Sequence, residues 1–190
     1  MMNEKLKWPE GRLLQGLAAV MVCAACLSLA ACLNGDIKGH VRDLSSPNVL
    51  IRQEAITALQ DAADNSAVPH LVLVLNDPVE DVRFMTARAL GVLHDKQATE
   101  ALVARLAKED ELRVRLAVIE ALGKLRDRKA TPDLLRVLDQ KGLTADERYT
   151  TIWSLGMIGD TRAAEKLGRL LASSDKYEVY NASQALRRIR

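Results

Sequence analysis

One twelve-residue phrase recurs along this chain, and its period constrains the fold more than any other feature. It reads VRFMTARALGVL from Val82 to Leu93 and VRLAVIEALGKL from Val114 to Leu125. It returns as IRQEAITALQDA from Ile51 and ERYTTIWSLGMI from Glu147, with a last copy, VYNASQALRRI, from Val179. Starts that are 31 to 33 residues apart mark a stacked array of supersecondary units.

Each unit reads as two helices. In the copy at Val82, the residues Met85, Ala89, Leu90 and Leu93 follow at three- and four-residue spacings, the apolar stripe of an amphipathic helix. The first helices (A) are expected over Val49–Ala62, Val79–Leu93, Leu112–Leu125, Ala145–Ile158 and Tyr177–Ile189. The second helices (B) are expected over Val68–Leu75, Ala98–Lys108, Pro132–Leu138 and Arg162–Leu171. Asp77 is expected to cap a helix that starts at Pro78. Gly91, Gly123 and Gly156 share one phase, which points to close approach between neighbouring helices; the first unit has Gln60 there and reads as a capping unit. Neither helix buries its stripe alone, but stacked hairpins bury it continuously. The expected fold is all-α, an α-solenoid over residues 48–190. Aromatic residues are only 3% of the chain against 48% apolar, so the core should be Leu, Ala, Val and Ile.

The N-terminal region reads differently. Lys5, Lys7 and Arg12 precede a nearly uncharged apolar run, Leu13 to Ala31, the pattern of an export signal. At about 19 residues it is also long enough for a retained membrane anchor. The run ends Leu29-Ala30-Ala31-Cys32, which resembles the lipobox of bacterial lipoproteins. The resemblance implies cleavage after residue 31, with Cys32 as the lipid-bearing first mature residue. Small side chains let the strand enter a protease, and the Cys32 thiol is the nucleophile that accepts the diacylglyceryl group. Leu33 follows, not Asp, which by the same resemblance favours the outer membrane in a Gram-negative cell. Cys23, Cys26 and Cys32 are the only cysteines, so no disulfide framework exists in the repeats. Residues 32–47 read as a tether with a brief helical turn near Val41–Leu44.

Two ladders of charge run through the repeats. Arg52, Arg83, Arg115 and Arg148 share one phase near the start of helix A; Asp64, Asp95, Asp127 and Asp160 lie twelve residues after each. Charges beside a core need partners, because an unpaired buried charge costs several kcal/mol. Both ladders are expected to be structural, the Asp residues also as caps for helix B. Four units in register resemble the HEAT-like repeats of the phycobilisome-lyase type over Val49–Arg190. The resemblance implies a right-handed α-solenoid of about four and a half HEAT-like helical hairpins, with repeats tied together by Arg and Asp.

Chemistry finds little support. The formal charge of +2 gives no argument for nucleic acid. The three histidines, His40, His70 and His94, form no His-Glu pair of the kind the hydroxylase relatives use for iron, so neither metal nor cofactor is expected. No enzyme activity is expected. A protein partner is, and by phase the B helices present Leu73 and Val74 as an apolar patch and Arg105, Arg136 and Arg169 as a basic track. Trp153 is expected in the core. The last helix lacks a B partner, so self-association through it is open.

Overall fold

The computed structural model describes residues 37–189. The leader 1–31, Cys32 and Arg190 lie outside the described residues. Ten α-helices and four short 3-10 turns follow one another, with no strand among the described residues.

The first helix corrects a sequence expectation. Residues Ile37–Asp43 form a helix (α1) and not a tether with one turn. Ile37, Val41 and Leu44 recur at four- and three-residue spacings and pack on the repeat core, with Leu44 buried. The compact unit therefore begins at Ile37 and not at residue 48. Gly39 hid the helix in the sequence, yet it is buried.

Four A/B pairs and a lone A helix follow. The A helices are α2 (Val49–Ala62), α4 (Glu80–Leu93), α6 (Leu112–Leu125), α8 (Ala145–Ile158) and α10 (Lys176–Arg188). The B helices are α3 (Val68–Val74), α5 (Thr99–Leu106), α7 (Thr131–Leu138) and α9 (Ala164–Leu170). Helix α4 starts two residues beyond Pro78: Val79 is its N-cap, and Asp77 accepts the Val79 N–H at 2.8 Å from outside the helix. Each A helix packs on the next, and each B helix on the A helix that follows it. Every buried apolar side chain among the described residues is Leu, Ile, Val or Ala.

The glycine phase is a seam between A helices. A methyl group on Gly91 would lie 3.0 Å from the Ala121 Cα, one on Gly123 2.8 Å from the Ser154 Cα, and one on Gly156 2.7 Å from the Ala185 Cα. No side chain fits there without shifting backbone.

Both charge ladders are structural, but they do not meet. Each Asp caps a corner. Asp64, Asp95, Asp127 and Asp160 accept the N–H groups of Ser66, Gln97, Lys129 and Arg162, the second residues of the 3-10 turns before the B helices. The residue before each Asp takes a left-handed conformation and ends the A helix: Ala63, His94, Arg126 and Gly159. Each Arg reaches forward to an acid of the next repeat. Arg52 donates to Asp77 at 3.0 Å, and Arg83 grips Glu109 through two bonds of 2.8 and 3.0 Å. Arg115 donates to Glu147 at 2.7 Å and Arg148 to Glu178 at 3.3 Å. The first three also donate to backbone carbonyls, Arg52 to Ser46, Arg83 to Asp77 and Arg115 to Glu109. The planar guanidinium has donors enough to serve carboxylate and carbonyl together.

Candidate functional site: the outer face of the A helices

The B-helix surface differs from its sequence reading at two of five positions. Leu73 is exposed, at 73%. Val74 is buried, because Leu71, Val74 and Leu75 form the inward stripe of α3. Arg105 occupies the same repeat phase as Val74, and its side chain is only 14% exposed. Its Nε lies 3.0 Å from Glu109, and its Nη2 donates to the Lys108 carbonyl. This phase is a boundary: a long Arg can lay its stem along the core and lift its head out, whereas Val cannot. Arg136 and Arg169 do emerge, but each is paired within its own helix, with Asp133 and Glu165, both at 2.5 Å. The basic track is thus largely neutralised.

The aromatic residues gather elsewhere. Among the described residues they are Phe84, Tyr149, Trp153, Tyr177 and Tyr180, all on A helices and none buried. Trp153 is partly buried, at the margin of the fully buried core and not within it. Phe84, Tyr149 and Tyr180 share one repeat phase, and Leu116 fills it on α6. The signal was in the sequence: five of six aromatic residues fall in A-helix segments, three of them in register.

The row borders two open grooves. One, of about 710 Å³, lies between α4 and α6 and is lined by Phe84, Arg88, Leu112, Arg113, Leu116 and Glu120 among others. Arg113 stacks 3.9 Å from the Phe84 ring centroid and pairs with Asp81. Leu112 remains 40% exposed. The second groove, of about 310 Å³, shares Glu120 and continues over Tyr149, Thr150, Trp153 and Asn181. Beside it the rings of Tyr149 and Tyr177 lie 6.1 Å apart. The Tyr149 hydroxyl donates to Asp175 at 2.5 Å, and that bond pushes its pKa up to about 12. Tyr149 is therefore a fixed neutral donor across the physiological range, with its ring free to make contact. The face offers amphipathic rings, apolar side chains and charges of both signs, the mixture that enriches protein contacts.

No group of three or more His, Cys, Asp or Glu placed to hold a metal occurs among the described residues. No helix among them is long and apolar enough to cross a membrane.

Known proteins match this geometry. The phycocyanin lyase complex of CpcE and CpcF from Nostoc sp. PCC7120 superposes with a TM-score of 0.69 at 24% identity, covering 80% of this chain. The chain spans 64% of the length of that relative. A designed armadillo repeat protein in complex with the peptide (KR)4 superposes with a TM-score of 0.61 at 16% identity, covering 82% of each chain. A search of curated protein sequences returns no match. The sequence model described as HEAT repeats matches residues 37–123, 68–147 and 111–187, together most of the chain. The stacked hairpins, the glycine seam and the forward-reaching arginines agree with that match, and the chain belongs to the HEAT-repeat family.

Proposed function

We propose that this protein is a lipid-anchored adaptor on the periplasmic side of the cell envelope, which holds a protein partner against the outer face of its A helices. One observation carries the reading. A chain with few aromatic residues keeps five of them out of its fully buried core, three of them at one repeat phase on α4, α8 and α10. Buried aromatic side chains dominate core energetics in most folds. Here the fully buried core does without them, so the exposed part of each ring is left for a partner. The likeness to repeat proteins that hold another chain or a peptide supports the same reading.

Attachment rests on the lipobox resemblance at Cys32. Several acyl chains anchor stably where one is reversible, since each buried CH2 adds about 0.8 kcal/mol. Loss of the leader would remove three basic and two acidic residues, leaving 24 and 23, near neutrality. The outer membrane is the favoured destination in a Gram-negative cell. The adaptor has no catalytic role in this account. Self-association is the second reading, favoured by Tyr180, which is 62% exposed on the last A helix of the stack.

In-cell photocrosslinking tests the surface. A photoreactive residue at Leu116 or Tyr180 should capture one protein species, and the same residue at Arg136 on α7 should not. Capture from Arg136 alone would move the site to the B helices, and capture of a second copy of this chain would establish self-association. Cys32→Ala should leave unprocessed, unacylated precursor; normal processing in that variant would defeat the anchor.

A further inference from the structure

The edge of the stack where the A helices end carries a second kind of surface. A cavity of about 710 Å³ lies there, lined by Arg126, Arg128, Arg187 and Arg188 together with Met157 and Gly159. No carboxylate of the described residues lines it. None of the four arginines belongs to an ion pair among the described residues, whereas every arginine of the forward ladder does. The two nearest acids in sequence are turned away. Asp127 caps the Lys129 N–H, and Asp160 is buried and held by Arg162.

Each cation is placed by the fold. Arg126 is the left-handed residue that ends α6, with φ of 51°. Arg128 opens the following 3-10 turn, whose first carbonyl accepts from Arg162 at 2.7 Å. Arg187 and Arg188 close α10, and Arg188 Nη1 rests 3.1 Å from the Met157 sulfur. A cation near a helix C-terminus complements the helix dipole, which accounts for one charge per helix end. It does not account for four converging on one cavity. Like charges held together without a counter-charge repel, and guanidinium forks match phosphate oxygens in pairs.

We propose that this edge is a phosphate-binding site, built for a ligand that presents one or more phosphate groups to the four arginines. The cavity size suits a small polyanion or the headgroup of an anionic lipid. The site lies apart from the aromatic row and does not depend on the adaptor reading.

Calorimetric titration of the full chain in detergent with inorganic pyrophosphate, and flotation with vesicles of phosphatidylglycerol or phosphatidylcholine, test it. Saturable pyrophosphate binding identifies a soluble phosphate ligand. A preference for phosphatidylglycerol vesicles with no pyrophosphate binding identifies a lipid headgroup; the lipid anchor alone would favour neither vesicle. In either case the Arg187→Ala/Arg188→Ala variant should bind at least about tenfold more weakly. Arg126→Gly should also weaken binding while relieving the left-handed backbone, so that loss cannot be attributed to unfolding. The site is overturned if neither probe binds, or if the variants lower the melting temperature and leave binding intact, which is the behaviour of charges that serve helix ends alone.

Discussion

The two halves of the arginine ladder solve one problem from different sequence positions. Arg52 and Arg83 find their acids, Asp77 and Glu109, in the loop before the next A helix. Arg115 and Arg148 find Glu147 and Glu178 in the first turn of the next A helix itself. That position holds Val82 and Val114 in the earlier repeats, both fully buried. The C-terminal half has therefore placed a carboxylate where the N-terminal half has core. Glu147 tolerates the place because Thr144 shares it: the Thr144 N–H and hydroxyl both donate to its carboxylate in a capping box. The comparison teaches that geometry across the repeat is kept while the residue that supplies it moves.

Removing one member of a ladder pair is expected to have the largest effect. Arg115→Ala should cost about 3–5 kcal/mol in denaturant unfolding, because it strands a buried carboxylate. Arg115→Leu combined with Glu147→Val should recover most of that loss, since buried pairs are often replaceable by packed apolar residues. If the double variant is no better than the single one, Glu147 is not an exchangeable stand-in for valine.

The seam gives the next largest effect. Gly123→Ala should cost about 1–3 kcal/mol through overpacking against Ser154. The same change at Gln60 of the first unit, where no such seam residue exists, should be close to neutral. Equal costs at the two positions would erase the distinction between the first unit and the rest.

Acid should weaken the ladder in a predictable window. Burial pushes Glu109 up, but Arg83 and the Glu111 N–H bring it below the usual carboxylate range. Glu147 is also pushed up by burial and brought down further by Arg115 and Thr144. Arg162 draws Asp160 down to about 2, against its burial. All three carboxyls are depressed in the folded state. Their stabilisation is present above the unfolded values near about 4 and fades as pH falls through the folded ones. Melting temperature should fall from pH 5 to pH 2, and Asp160→Asn should flatten the lowest part of that slope.

The smallest effect is a gain. Arg126 takes a left-handed conformation that costs a residue with a Cβ about 1 kcal/mol. Gly159 holds the equivalent corner in the next repeat. Arg126→Gly should stabilise by about that amount in thermal unfolding.

Much of this was legible in the sequence, for reasons that also explain what was not. Period and apolar spacing located every repeat helix, because stacking forces both on each unit. The Arg and Asp phases were visible, but the true acceptors were not, since they change register between Glu109 and Glu147. Helix α1 was hidden by its shortness and by Gly39. Val74 is buried where the sequence pattern exposes it, because its phase is a boundary that Arg and Val occupy differently. The aromatic row was visible as a phase, yet Trp153 was expected in the core. Packing places it at the core's margin, partly buried.

The most direct measurement of the central claim joins stability to binding in one variant, Leu112→Ala/Tyr180→Ala, which changes two exposed positions of the A-helix face. The account predicts that its melting temperature stays within a few degrees of the parent while crosslinking from Leu116 to the partner is lost. A collapse in melting temperature, or full capture by the variant, would contradict it.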